Sequence, residues 1–425
     1  MATETVQEVT ALGLAARKAS RKLARLSTED KNRVLLNLAG LLRSDQAGVL
    51  AANAEDYQEA KADGLDESLL DRLLLTSERL NDTADELQRV AELPDPIGEV
   101  IETSSLPNGL IASRRRVPLG VVGSIYESRP NVTVDIFSLC LKSGNACILR
   151  GGKETIRSNT ELVALLRKAL TDAGVTTDAV QFLDNPDRAL VDAMLKMDQY
   201  IDLLVPRGGA SLVKFVAENA TMPAVTGGIG VCHTYIDRAA DLKMAVKVVH
   251  NAKVRRPSIC NALDTVLVHA EVAADGLPLI AEELTASGVE LHCDNRAFSI
   301  LGPDAPDLAL PASEDDWGKE FLSLTAAVKV VDSLEDALEH IETYGSGHSE
   351  AIITEDDSAA TKFLDEVDAA AVYVNASTQF TDGGQFGLGA EVGISTQKFH
   401  ARGPMGLKEL TSYKWVIVGQ GQVRP

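Results

Sequence analysis

The amino-acid sequence predicts an α/β protein built on parallel, doubly wound sheets. Three observations carry this prediction. Short apolar runs lead through glycine-rich turns into helical periodicity, once in "NACILRGGKE" and again in "YIDLLVPRGGASLVKFVAENA". A second series of strand and helix segments follows, through "AAVKVVDSLEDALEHIETYG", "HSEAIIT" and "AAVYVNAS". Finally, 425 residues exceed one ordinary core, so two or three domains are expected.

Residues 5 to 93 read almost wholly as helix, with Val34, Leu35, Leu38, Leu41 and Leu42 on one face and charges between them. The two prolines of "LPDPIGEV" end that run. "GLIASRRRVPLGVVGSIYE" is β-branched and extended, closing on a buried run from Val121 to Ile125. A strand ending near Arg150 precedes a helix to about Asp172, and a strand from Ile201 to Val205 precedes a helix starting at Ala210. Farther on, a strand from Ala326 to Val331 precedes a helix stopped at Gly345. The glycine-rich "FTDGGQFGLGAEVGIST" and the strand "SYKWVIVGQ" complete the chain, with boundaries near residues 238 and 376.

Charge and cysteine usage narrow the function. With 62 acidic against 41 basic residues the net charge is −21, which repels nucleic acid and anionic lipid. An anionic ligand therefore needs a local basic site. The five cysteines, Cys140, Cys147, Cys232, Cys260 and Cys293, form no C-x-x-C pair, which argues against a disulfide framework or a zinc ribbon. The seven histidines show no metal-binding spacing, so no metal is expected. No signal pattern or membrane-length apolar run is present, and a cytoplasmic location is the expectation.

Two strand-to-helix turns are candidate phosphate sites, because helix N-terminal N–H groups point outward with a favourable dipole. Arg150 and Lys153 flank Gly151 and Gly152; Arg207 precedes Gly208 and Gly209, with Ser211 in the following first turn. Strand carboxyl ends are where open α/β sheets bind ligands. Turn chemistry and solvated cations explain the same residues without a ligand, and G-x-G-x-x-G is absent. Cys260, between "RRPS" and an apolar strand, reads either as packing or as a nucleophile.

Taken together, "VPLGVVGSIYESRPNVTVDIFSLCLKSGNACILRGGKE", "DLLVPRGGASLVKFVAENATMPAVTGGIGVCHTYID" and "VRRPSICNALDTVLVH" resemble the aldehyde dehydrogenase superfamily. The likeness extends through "YGSGHSEAIIT" and "FGLGAEVGISTQKFHARGPMGLKELTSYKW". It implies an aldehyde-dehydrogenase-like α/β fold: two Rossmann-like doubly wound domains plus a small β oligomerisation flap. Residues 1–105 and 119–237 would bind NADP, residues 238–376 would carry the nucleophile, and 106–118 with 377–425 would form the flap and C-terminal segment.

The resemblance further implies NADPH-dependent reduction of L-glutamyl 5-phosphate to L-glutamate 5-semialdehyde, in proline biosynthesis, by a homo-oligomer. A glutamate kinase is the candidate partner. The family's catalytic cysteine falls on Cys260, whose thiolate would expel phosphate and form a thioester. Its backbone N–H and the Asn131 amide would stabilise the oxyanion, with Arg129 the alternative on a second local alignment. Arg255 and Arg256 would lower the thiol pKa or attract the phosphoryl group; surface ion pairing explains them equally. Arg129, Arg256, Asn375, Ser377 and Thr378 are the substrate-binding candidates, with Glu391 for the amine. The other four cysteines read as packing, and among the histidines His348 stands nearest a site.

Hydrolytic relatives carry a water-activating glutamate where this chain has Val225 or Thr226, so the thioester should wait for hydride or phosphate. The competing readings are another acylating semialdehyde dehydrogenase, using coenzyme A or a different acyl phosphate, and a non-catalytic dinucleotide-binding protein. A retained Cys260 argues against the last.

Overall fold

The computed structural model describes residues 2–225, 227, 229–302 and 307–424, with backbone alone for residues 2–6 and 68. Five helices come first: α1 (Ala2–Leu23), α2 (Thr28–Ser44), α3 (Gln46–Ala62), α4 (Glu67–Leu73) and α5 (Ser77–Glu92). Ser27 starts α2 by accepting the Asp30 N–H at 3.1 Å, satisfying one of the free donors of the first turn. Val34, Leu35, Leu38 and Leu42 are buried as their spacing predicts, while Leu41 is half-buried at the edge of the stripe.

Strands β1 (Val100–Ser105) and β2 (Ile111–Pro118) follow, and then the alternation begins: β3 (Val121–Tyr126), α6 (Val132–Lys142), β4 (Ala146–Arg150), α7 (Ile156–Asp172), β5 (Val180–Phe182), α8 (Arg188–Met194), β6 (Leu203–Arg207) and α9 (Ala210–Asn219). These four strands form an all-parallel sheet in the order β5-β4-β3-β6. Every residue of β3 and β4 is buried, which is why both read as continuous apolar runs rather than alternating ones.

The second series comprises β7 (Cys232–Ile236), α10 (Leu242–Val254), β8 (Leu263–His269), α11 (Ala270–Ala286), β9 (Glu290–Cys293), α12 (Asn295–Leu301), β10 (Ala309–Pro311), β11 (Thr325–Val331), α13 (Leu334–Tyr344), β12 (Ser349–Ile353), α14 (Asp357–Glu366) and β13 (Ala371–Val374). Its seven strands are all parallel, in the order β10-β9-β11-β8-β7-β12-β13. A core of Val249, Leu263, Val266, Val268, Leu277 and Ile280 packs helices α10 and α11 onto it. Two short strands, β14 (Ile394–Ser395) and β15 (Gly403–Pro404), pair with each other, and β16 (Thr411–Val418) ends the chain.

The chain divides into two compact units: residues 1–226, 387–393 and 405–425 in one, residues 227–386 and 394–404 in the other. Three expected boundaries move. Strand β7 was expected before the boundary at 237, yet it pairs with β8 and β12 and so belongs to the second sheet. Residues 377–386 and 394–404, expected with the flap, fold with the second unit. Strand β1, expected in the first domain, pairs antiparallel with β2, and β2 pairs antiparallel with β16, giving a separate three-stranded sheet. The Arg114 guanidinium in this sheet lies 4.9 Å from the Tyr413 ring centre and pairs with Glu102 at 2.7 Å. Among the described residues, no helix is long and apolar enough to cross a membrane.

Candidate active site

In the first unit, the carboxyl ends of β3, β4 and β6 converge because the three strands are adjacent and parallel. The turn after β3 carries Ser128 at φ 44°, a left-handed conformation held in place by its own bonds. Its N–H and hydroxyl both donate to Glu154 Oε1, each at 2.7 Å, which ties this turn to the one after β4. The Glu127 carboxylate accepts the Gly209 N–H at 3.0 Å, tying it also to the turn after β6.

The glycines of these turns have different reasons to be glycine. A Cβ on Gly151 would meet Asn159 Nδ2 at 2.1 Å, and one on Gly208 would meet Glu127 Oε2 at 2.3 Å. Gly151 is required by packing against the buried Asn159, and Gly208 leaves room for the Glu127 carboxylate. Gly209 is under no such constraint: its φ of −68° suits any residue and a Cβ there would point into open space. It sits as the N-cap of α9, where glycine caps well on its own account and a ligand would additionally require close approach to the α9 N–H groups. A dinucleotide pyrophosphate fits that requirement.

The flanking cations also separate. Arg150, expected to meet a phosphate, is only 7% exposed, and its guanidinium donates to the backbone carbonyls of Pro186, at 3.0 Å, and Gly151. Its charge serves the loop it starts. Lys153 is 73% exposed and lies 3.5 Å from Asp63. Ser211 is exposed in the first turn of α9, and the Arg207 guanidinium packs on Gly393. Asn131 is the residue before α6, and its amide donates to Asp135 at 3.0 Å. Burial, then the charge of Glu86, pushes the Asp135 carboxyl up to about 7 against the pull of Arg207 and Arg129. Val225 is buried and apolar; Thr226 lies outside the described residues.

In the second unit, Cys260 stands apart from the other four cysteines, all of which are buried whereas it is half-exposed. Burial pushes the Cys147, Cys232 and Cys293 thiols up, which keeps them protonated and unreactive. Cys260 and Asn261 are the two central residues of a turn closed by the Ala262 N–H donating to the Ile259 carbonyl at 3.0 Å. That turn joins the end of α10 to β8. Arg255 and Arg256 are exposed at the C-terminal end of α10, with Arg255 Nη1 donating to Gln379 Oε1 at 3.1 Å.

Three substrate candidates prove to be engaged by the protein itself. Asn375, at φ 57°, exchanges bonds of 2.9 Å with both the N–H and the carbonyl of Thr354. The Ser377 hydroxyl accepts the Gln379 N–H, and the fully buried Thr378 hydroxyl donates to the Asn261 carbonyl at 2.8 Å. These bonds brace the loops on which the three residues lie. His348 is fully buried, 2.8 Å from the Ser349 hydroxyl, and burial pushes it down to about 4, so it is neutral at pH 7. Glu391 is half-buried in the segment 387–393 of the first unit.

Sequence reading missed the charges buried beneath this turn. Asp264 on β8 accepts the N–H groups of Phe321, at 3.0 Å, and Cys232, at 3.4 Å, and lies 3.7 Å from the buried Lys253 ammonium. His233 Nδ1 lies 3.0 Å from the Glu350 carboxylate, with both groups fully buried. A carboxylate inside the apolar run "NALDTVLV" was the available signal, since an unpaired charge cannot be buried there.

Two parallel α/β sheets, a glycine-lined helix N-terminus and a half-exposed cysteine in a tight turn define a dinucleotide-binding fold with a candidate thiol nucleophile. The chain belongs to the aldehyde dehydrogenase family, which matches residues 1–299. More narrowly, it is 54% identical over 409 residues to gamma-glutamyl phosphate reductase of Dehalococcoides mccartyi, covering 96% of each chain. It is 55% identical over 413 residues to the Escherichia coli protein of that name, covering 97% of this chain and 99% of the other. The crystal structure of gamma-glutamyl phosphate reductase from Thermotoga maritima superposes with a TM-score of 0.95 at 47% identity, covering 98% of this chain and 100% of that one.

Proposed function

We propose that this chain reduces L-glutamyl 5-phosphate to L-glutamate 5-semialdehyde with NADPH, releasing phosphate, as a step of proline biosynthesis. The observation that carries the reading is Cys260, the one cysteine of five that is not buried, presented at the centre of a closed turn. The name of the full-length relatives supplies the substrate.

The Cys260 thiolate attacks the acyl carbonyl, the phosphate leaves with the electrons of the broken C–O bond, and a thioester remains. When bound, NADPH supplies the hydride that the reduction needs. Gly209, Ser211 and Lys153 are the residues that would hold its phosphates, since they offer an open helix N-terminus and an exposed ammonium. The carbonyl oxygen gains charge as sulfur adds, and the Cys260 N–H is assigned to it. The same sulfur is expelled when the reduced adduct collapses to aldehyde. Supply of so labile an acyl phosphate requires a kinase acting on the glutamate side-chain carboxylate.

Running the reaction backwards tests the reading. With glutamate semialdehyde and NADP⁺, sustained NADPH formation should require added phosphate, because buried Val225 cannot deprotonate a water. Without phosphate at most about one turnover per site is expected, since the thioester then has no acceptor. Cys260→Ser should abolish even that. Steady phosphate-independent turnover, or an active serine variant, would refute the thioester route.

A further inference from the structure

The turn that presents Cys260 is gripped at two successive carbonyls by side chains from outside it. The Cys232 thiol, on β7, lies 3.3 Å from the Cys260 carbonyl oxygen and donates to it. The Thr378 hydroxyl, from the one-turn helix Thr378–Phe380, donates to the Asn261 carbonyl at 2.8 Å. Both donors are fully buried, and burial keeps the Cys232 thiol protonated, hence a donor. Gly230 backs the first carbonyl so closely that a Cβ there would overlap it, at 1.4 Å. Glu320 fixes Gly230 in turn by accepting its N–H at 2.9 Å.

The second grip is reinforced by amides. Asn261 Nδ2 donates to the Thr381 carbonyl at 3.0 Å and the Gln379 carbonyl at 3.4 Å. Gln379 Nε2 donates to the Ala252 carbonyl at 2.9 Å, so the end of α10 and the one-turn helix hold the turn between them.

We infer that Cys232 and Thr378 are positioning residues for the nucleophile: by fixing the carbonyls of Cys260 and Asn261 they set the direction in which the Cys260 thiol and N–H face the acyl group. The inference rests on Cys260 being the nucleophile proposed above. A central turn residue has two soft dihedrals, and rotation about its Cα–C bond turns sulfur and N–H together relative to the gripped carbonyl. A displacement near 1 Å costs on the order of 10²-fold in rate when reacting atoms must align. Rigid support of this kind does not bind substrate, so its loss appears in kcat.

Steady-state kinetics on Thr378→Val and Thr378→Ser test this, with Cys232→Ala and Cys232→Ser as the second pair and Cys260→Ser as reference. Thr378→Val should lower kcat at least about tenfold while KM for acyl phosphate and NADPH stays within about twofold, and Thr378→Ser should recover most of the loss. Cys232→Ala should fall in the same direction by less, because a thiol is the weaker donor, and Cys232→Ser should recover. Iodoacetamide should still alkylate Cys260 in every variant that keeps it, read by mass spectrometry, showing the thiol present but misaligned. If Thr378→Val fails to melt cooperatively, the Cys232 pair decides by the same criteria. Full kcat in Thr378→Val, or in Cys232→Ala where that pair decides, overturns the inference while an inactive Cys260→Ser leaves the nucleophile standing. An active Cys260→Ser removes the nucleophile and this inference with it.

Discussion

Gly209 and Arg150 show how differently two residues expected to meet a phosphate group are used by the protein itself. Arg150 has the charge a phosphate wants, yet its guanidinium is turned to the carbonyls of Pro186 and Gly151. Gly209 has no charge, and among the described residues nothing lies within 4 Å of the Cβ it lacks. The same φ and the same open space accept the methyl group of Gly209→Ala, so the melting temperature should fall by no more than about 2–4 °C, the cost of roughly 1 kcal/mol for a poorer N-cap. NADPH affinity, measured by fluorescence titration, should nevertheless fall about tenfold, since the methyl group occupies the approach to the α9 N–H groups. Unchanged affinity would move the pyrophosphate away from this helix. Lys153→Ala should weaken NADPH more than NADH if this exposed ammonium pairs with the 2′-phosphate that NADH lacks. Equal losses for both cofactors would end that assignment.

At the scale of elements, the proline-rich link after α5 is an anchored segment rather than a simple break. Asp95 accepts the Lys31 ammonium of α2 at 2.8 Å, the Thr28 hydroxyl at 3.0 Å and the Ile97 N–H at 2.9 Å. Lys31 is 1% exposed and Asp95 11%, so the pair is largely withdrawn from water. Removing one partner of a buried pair costs about 3–5 kcal/mol, and Lys31→Met should lie near the lower end because Thr28 and Ile97 still satisfy Asp95. Chemical denaturation would measure it; a loss below about 1 kcal/mol would show the pair to be incidental. What the sequence made legible here follows from local periodicity. The buried runs of β3, β4 and β6 and the amphipathic stripe of α2 are written in neighbouring residues. Strand membership is not: β7 looks like any buried strand, and only its pairing with β8 and β12 places it in the second sheet. Nor does residue type say where a hydroxyl points. Thr378 lies among polar residues that suit a substrate loop, and it faces a backbone carbonyl. Cys260 was singled out by the surrounding motif rather than by its own chemistry, and its exposure is what the structure adds.

For the whole molecule, the question is what the three-stranded β1-β2-β16 sheet is for. Strand β2 is its centre, which leaves β1 and β16 as open edges with unpaired backbone groups. Tyr413, Trp415 and Ile417 alternate onto one face of β16, and Trp415 is 55% exposed. Natural sheets blunt such edges or cover them, and here Arg114 shields only the Tyr413 and Trp415 rings from one side. A net charge of −21 opposes non-specific clustering, so any association must come from a specific surface of apolar groups. The chain should therefore sediment as a homo-oligomer at micromolar concentration, with this sheet in the interface. The double substitution Trp415→Glu and Ile417→Lys should shift it toward monomer, because a stable interface must bury roughly 1,000 Å² or more and cannot bury two unpaired charges. Both substitutions lie on an exposed face, so the melting temperature of the isolated chain should change little. Analytical ultracentrifugation of the two proteins side by side reads the result: a wild type that is already monomeric removes the sheet from assembly, and a double variant that keeps the wild-type sedimentation coefficient places the interface elsewhere.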